Sequence, residues 1–406
     1  MRRGKLVRVH RYVGLAMSVF LIIAGLTGSL LVWYEEIDSY INQDIMQVEP
    51  PLTVSQRLTV FALREKVKNE FPNAEVNWVL LQQPPPNTAV RFYLEWHGGN
   101  QGGSGFQVDE VFVNPYSGKV IGGREWGNLS QGMTNVMPFI YKLHDALAIG
   151  DIGRWLLGIT AILWTMDCFV GAYLTLPRSA KKKRVHFSFK RWRYAWRIRW
   201  KGSAKQLNFD LHAAASLWLW GLLLIFSVSG IAMTLYSEVY KPVFENVMDF
   251  NIDPAVKFAL IQTPSKEPPI GWERGLNTAR IHLEKMAADI GFKIIRLERL
   301  SYSPEKGFMK LMATTSLDVN QRFGQSWLYI DAYNGDFKGA YFPSGVAAGN
   351  TFTTWITTLH IAAIWGLPYR ILVSFTGLFV VLLCITGCIL WWRKHHAKKR
   401  VFTERR

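Results

Sequence analysis

Four stretches of this chain are almost purely apolar: Tyr12–Tyr34, Trp155–Pro177, Leu211–Ser237 and Ile371–Trp392, each 22 to 27 residues long. A helix needs about 20 residues to cross a hydrocarbon core, so each run is long enough to span one. Trp and Tyr edge the runs, where amphipathic rings sit at a lipid headgroup level. The expectation is a membrane α-helical protein built on a four-helix bundle. The first run ends in Leu31-Val32-Trp33-Tyr34-Glu35-Glu36 rather than at small residues, which predicts a retained anchor and not a cleaved leader.

Charge orients the spans. Residues 1–11, 178–210 and 393–406 hold 24 of the 47 Lys and Arg, with only Asp210 and Glu404 as acids among them. Four spans put these three segments on one side, and the positive-inside bias makes that side, with both termini, cytoplasmic. The formal charge of +17 therefore reflects topology and contact with membrane lipid, and nucleic acid is excluded as a partner. The three cysteines, Cys168, Cys384 and Cys388, all lie in apolar runs, so no disulfide framework supports the outer regions. No Cys-x-x-Cys-His site attaches a c-type haem, and Cys384 and Cys388 read as small packing residues.

The chain repeats itself once. His10 precedes Gly28 by 18 residues and His212 precedes Gly230 by 18, within Leu26-Thr27-Gly28-Ser29 and Val228-Ser229-Gly230-Ile231. Leu143-His144 is followed by Arg154 at +10 and Gly171 at +27, as Leu359-His360 is by Arg370 and Gly387. Between the spans, Val113-Asn114-Pro115-Tyr116-Ser117-Gly118 parallels Ile330-Asp331-Ala332-Tyr333-Asn334-Gly335, and both read as hairpin turns. Each half is thus helix, outer α/β domain, helix. Apolar spacing predicts helices over Ser55–Asn69 and Leu276–Ile290. Alternation predicts strands over Val90–Trp96, Glu110–Val113, Ile294–Leu300, Gly307–Thr314 and Ser326–Asp331. The basic, Trp-rich linker 178–206 reads as a segment lying on the inner leaflet.

Of nine histidines, His10, His212, His144 and His360 hold equivalent positions in the repeat, two at each end of the spans. A b-type haem in a helical bundle takes axial imidazoles from facing helices. The four therefore predict two bis-histidine haem b sites, His10 with His212 on the cytoplasmic side and His144 with His360 on the other. Gly28, Gly171, Gly230 and Gly387 would leave room for a flat macrocycle or a close helix. Arg154 and Arg370 are candidates to pair with propionates, or to anchor helices among headgroups. Asp167, the one carboxylate inside a span, is expected to accept a structural hydrogen bond from a Thr or Trp, with proton movement as the alternative. His97, in a Gly-rich loop, could touch substrate, whereas His186, His282, His395 and His396 are expected to be ordinary surface or packing residues.

Val9-His10-Arg11-Tyr12-Val13-Gly14-Leu15, Leu143-His144-Asp145, Leu211-His212-Ala213, Leu359-His360 and the two outer turns resemble the PepSY-associated transmembrane family of bacterial inner membranes. The resemblance implies a first span (1–34), a periplasmic PepSY-like domain (35–140), and a periplasmic ligand segment with the second span (141–177). After the linker come the third span (207–237), a second PepSY-like domain (238–355), the second ligand segment with the fourth span (356–392), and a cytoplasmic tail (393–406). It also implies a ferric-siderophore reductase that releases Fe(II) in the periplasm. Its electrons would come from a cytoplasmic reductase or from quinol, since the chain shows no Gly-x-Gly-x-x-Gly after a strand and no Walker A sequence. Two other readings compete. One is a membrane-anchored sensor or inhibitor that binds a periplasmic peptide or protease. The other is a siderophore or metal transporter, which broken spans and several buried charges would favour.

Overall fold

A computed structural model describes residues 3–51, 56–96, 108–177 and 189–403. The helices that matter here are α1 (Arg3–Leu31), α2 (Val60–Glu70), α3 (Val136–Ala146), α4 (Asp151–Thr175) and α5 (Ala204–Trp218). They continue with α6 (Trp220–Thr234), α7 (Trp272–Ile290), α8 (Ala348–His360) and α9 (Gly366–Thr403). The chain divides into two compact units, one of Met1–Trp33, Ile140–Val243 and Leu359–Arg406, the other of Tyr34–Phe139 and Phe244–Thr358.

Three described helices of the first unit, α1, α4 and α9, are each long and apolar enough to cross a membrane. The third apolar run departs from expectation. It is not one helix but the pair α5 and α6, bent by 69° at Leu219, and it adds a fourth span if the pair is counted as one. No proline causes the bend. The adjacent indoles are tied to different partners, Trp218 donating to the Trp196 carbonyl and Trp220 to the Cys168 carbonyl, each at 3.0 Å. Where α1 crosses α9, small residues let the backbones touch. A Cβ on Gly25 would lie 2.7 Å from the Gly377 carbonyl oxygen, and one on Gly377 would strike Ser29 Oγ. Ser29 Oγ also donates to the Ser374 carbonyl at 2.8 Å, so the crossing combines close packing with a polar tie.

The second unit holds strands β1 (Trp78–Leu80), β2 (Val90–Tyr93), β3 (Glu110–Val113), β4 (Val120–Arg124), β5 (Ile294–Ser303), β6 (Phe308–Thr315), β7 (Ser326–Asp331) and β8 (Phe337–Tyr341). Two separate outer domains were expected, but the two regions share a sheet. Its order is β8-β7-β6-β5-β1, with β1 from the first region paired antiparallel to β5 through Trp78–Ser301, Val79–Leu300 and Leu80–Arg299. Strands β2, β3 and β4 make a second sheet, and one core runs through both regions, from Leu63, Val67 and Phe92 to Leu283, Leu311 and Ile330. The two turns are built alike. Asn114 Oδ1 accepts from the backbone of Tyr116 and Ser117, and Asp331 Oδ1 from that of Tyr333 and Asn334. A glycine with φ of +73° or +85°, Gly118 or Gly335, follows in each, a conformation other residues avoid.

Boundaries shift where capping decides them. The first outer helix begins at Val60 because Thr59 Oγ1 accepts from Ala62 N at 3.2 Å; Ser55 lies outside the described residues. The strand expected over Val90–Trp96 is split at Leu94, and α7 starts four residues early, at Trp272. The Gly-rich stretch 98–105, His97, His186 and the start of the basic linker also lie outside the described residues.

Candidate functional site

The repeated histidines meet in pairs. His10 on α1 and His212 on α5 have ring centroids 6.1 Å apart with planes inclined by 62°. His144 on α3 and His360 on α8 lie 6.2 Å apart, inclined by 68°. Both pairs belong to the first unit. His144 packs on Gly28, 18 residues beyond His10 on α1, and 18 residues of helix rise about 27 Å. The two pairs therefore sit near opposite ends of the bundle.

Each ring is held by a different helix from the one that carries it. His144 Nδ1 lies 3.0 Å from Thr27 Oγ1 on α1, and His360 Nδ1 lies 2.7 Å from Ser229 Oγ on α6. His212 Nδ1 lies 3.1 Å from both Thr386 Oγ1 and the Leu383 carbonyl on α9, and His10 Nδ1 lies 2.8 Å from Asp167 Oδ1 on α4. The hydroxyls' own protons are committed within their helices: Thr27 donates to the Ile23 carbonyl at 2.6 Å, Ser229 to Ile225 at 2.6 Å, and Thr386 to Leu382 at 2.7 Å. Toward the imidazoles these oxygens can only accept, as can a carbonyl or a carboxylate. All four rings thus carry their proton on Nδ1 and keep the Nε2 lone pair, the tautomer in which an imidazole ligates a metal.

Spacing suits that role. A five-membered ring with bonds near 1.35 Å has a centre-to-atom radius of about 1.1 Å. Imidazole–metal bonds run about 2.0–2.1 Å, so ring centroids 6.1 and 6.2 Å apart would leave room for one metal ion within each pair. Three of the repeated glycines support the rings. A Cβ would lie 3.0 Å from His144 Cε1 at Gly28, 3.2 Å from His212 Cε1 at Gly387, and 3.5 Å from His10 Cε1 at Gly171. Gly230 faces Ala161 instead, at 3.3 Å. Between the pairs lies an apolar cluster of Met17, Leu21, Cys168, Leu223, Val380 and Cys384, flanked by Trp164 and Trp220.

Arg154 and Arg370 occupy equivalent places in sequence but have different partners. Arg154 reaches Asp145 at 3.3 Å, whereas Arg370 donates to the Val32 carbonyl at 2.7 Å and lies over the Trp33 ring. Asp167 does accept a hydrogen bond, but from His10 and not from a Thr or Trp. His282 stays in the sheet-bearing unit beside the Gly335 carbonyl, and His395 and His396 lie against Trp391 and Trp392. Sequence reasoning missed the acceptors Thr27, Ser229 and Thr386. Their signal was present, since Thr27-Gly28 and Ser229-Gly230 occupy one place in the repeat.

Helices long and apolar enough to cross a membrane, in one unit with two facing histidine pairs, are those of a membrane protein. The PepSY-associated TM region family matches residues 7–394, and the chain belongs to that family. No curated protein shows a significant match to it.

Proposed function

We propose that this protein is a di-haem b electron carrier of a bacterial inner membrane that reduces a ferric siderophore on the periplasmic side and so releases Fe(II). One observation carries the reading: four repeat-related histidines, each with its Nδ1 against an oxygen of another helix, face each other in two pairs at opposite ends of the bundle. Among the described residues no group of three or more His, Cys, Asp or Glu gathers, so each pair offers two protein donors. Haem, which needs only two donors from the protein, would match that donor set. His10 and His212 would hold one haem, and His144 and His360 the other.

When bound, haem supplies one-electron Fe(III)/Fe(II) chemistry. The protein's part is to aim Nε2 of each histidine, fix its tautomer from the neighbouring helix and keep water from the apolar cluster between the pairs. A periplasmic ferric chelate would be the acceptor, because Fe(II) is held less tightly by hard oxygen ligands. Electrons would be delivered from the basic, cytoplasmic side by a partner reductase or by quinol. The transporter reading gains one feature, the broken span at Leu219, but the one carboxylate within the apolar runs is bonded to His10. Visible spectra of the purified protein, oxidised and dithionite-reduced, test the proposal. Two b-type haems per chain are expected, and a protein that binds none overturns it.

A further inference from the structure

The repeat that equates His144 with His360 also equates Asp167 with Leu383, each 23 residues further on. Both positions lie against the Nδ1 of a histidine in the same pair. In the second half, His212 uses the Leu383 carbonyl and the Thr386 hydroxyl, both neutral acceptors at 3.1 Å. In the first half the position equivalent to Thr386 is Val170, which has no hydroxyl, and His10 turns instead to the Asp167 carboxylate at 2.8 Å. Three of the four rings are therefore backed by neutral oxygen. One is backed by a charged group.

A carboxylate on Nδ1–H draws the proton toward itself and leaves more electron density on Nε2. It also places a negative charge near the ligated metal, which favours the higher oxidation state. Solvent screens this little, because the Asp167 side chain is 12% exposed and Cys168 beside it packs in the apolar cluster. Holding α1 to α4 is not a sufficient reason for the pair. Arg3 already ties these helices, donating to the Leu174 and Leu176 carbonyls.

We propose that Asp167 is a positioning residue that makes the two metal sites unequal, setting the His10/His212 site at a lower reduction potential than the His144/His360 site. The inference rests on the di-haem reading. The site it makes more reducing lies at the end where the Lys and Arg cluster, so the gradient runs from that end to the other.

Potentiometric reduction of the purified, haem-loaded protein, followed by absorption, tests this. Wild type is expected to show two resolved midpoints. Asp167→Asn keeps an oxygen but removes the charge, and should raise the lower midpoint, leaving the upper one in place at unchanged haem content. Asp167→Leu installs the residue that the second half carries and should raise the same midpoint, which keeps the test available if the Asn variant fails to assemble. Asp167→Glu retains the charge and should stay near wild type. Two haems whose midpoints ignore both charge-removing variants, or a shift confined to the upper midpoint, overturn the proposal. A wild-type protein without haem is a distinct result, which defeats the reading beneath it.

Discussion

Thr27 Oγ1 accepts a hydrogen bond from His144 Nδ1 across 3.0 Å, and it has no other role open to it because its proton goes to the Ile23 carbonyl. Ser229 stands in the same relation to His360. Removing an acceptor behind a ligating imidazole frees the ring to rotate and to change tautomer. Thr27→Val and Ser229→Ala should each weaken haem retention at the His144/His360 site by about 10–100-fold, as outer-shell changes at metal sites do. Haem content after extensive dialysis, compared with a Thr386→Val variant, measures this. Equal loss from both sites in Thr27→Val would contradict the assignment.

Glycine spacing gives a graded pair of variants. A methyl group at Gly28 meets His144 Cε1 at 3.0 Å, whereas at Gly171 it meets His10 Cε1 at 3.5 Å, an ordinary contact. Gly28→Ala is expected to displace its ring and lower occupancy of one site, and Gly171→Ala to leave both nearly intact. The reduced α-band intensity per chain separates the two outcomes; a greater loss in Gly171→Ala runs against the packing seen.

In the sheet-bearing unit, Arg124 is fully buried with Asp38 and Glu110. Its guanidinium donates to Asp38 at 2.8 and 2.9 Å, to Glu110 at 2.5 Å and to the Thr134 carbonyl at 2.7 Å. Arg124→Ala leaves the buried Asp38 without a cationic partner and Glu110 with Arg91 alone, at 3.1 Å, and should cost about 3–5 kcal/mol, as loss of one partner of a buried ion pair does. Thermal unfolding in detergent reads the loss. A shift no larger than that of a surface substitution would refute it.

Glu267 supplies a pH test in the same unit. Burial alone would raise its carboxyl, but hydrogen bonds from Arg64, Lys68 and Trp272 prevail and hold it below its ordinary value. A depressed folded-state value contributes stability that is complete above the unfolded value, about 4.3, and is lost as pH falls through the folded one. Because its side chain is 39% exposed, the effect should be modest. Wild type should lose unfolding temperature below about pH 4.3 more steeply than Glu267→Gln. Parallel curves for the two proteins would dismiss the linkage.

Particular residues show what could be read before the fold was known. A helix advances at a fixed rise, so equal spacings from His10 to Gly28 and from His212 to Gly230 already place corresponding groups at corresponding depths. The two Asx-glycine turns were legible for the same reason, since a left-handed residue at Gly118 and Gly335 is a local requirement. The pairing of β1 with β5 was not, because about 220 residues separate Trp78 from Ser301 and only the shared core selects that edge. The bend at Leu219 was hidden too. No proline marks it, and the one nearby glycine, Gly221, falls inside the second helix; the indoles on either side of Leu219 reach acceptors on different segments.

The sharpest division between an electron carrier and a passive anchor comes from the His144/His360 pair. If the sheet-bearing unit only bound a peptide, replacing one of these histidines would leave its function untouched. Under the proposed function, His360→Ala removes one ligand of the periplasmic site and leaves His10 and His212, with their acceptors Asp167 and Thr386, as they were. One haem should remain and should still be reduced by a donor supplied inside sealed right-side-out vesicles. Reduction of an external ferric siderophore should fall to background, because most of a roughly 30 Å apolar core then separates the remaining site from the acceptor. The vesicle assay follows the α-band of the retained haem beside Fe(II) trapped outside by an impermeant chelator. Normal reduction of that haem with undiminished Fe(II) release would defeat the proposed route. Normal reduction with release abolished would leave the anchor reading without support.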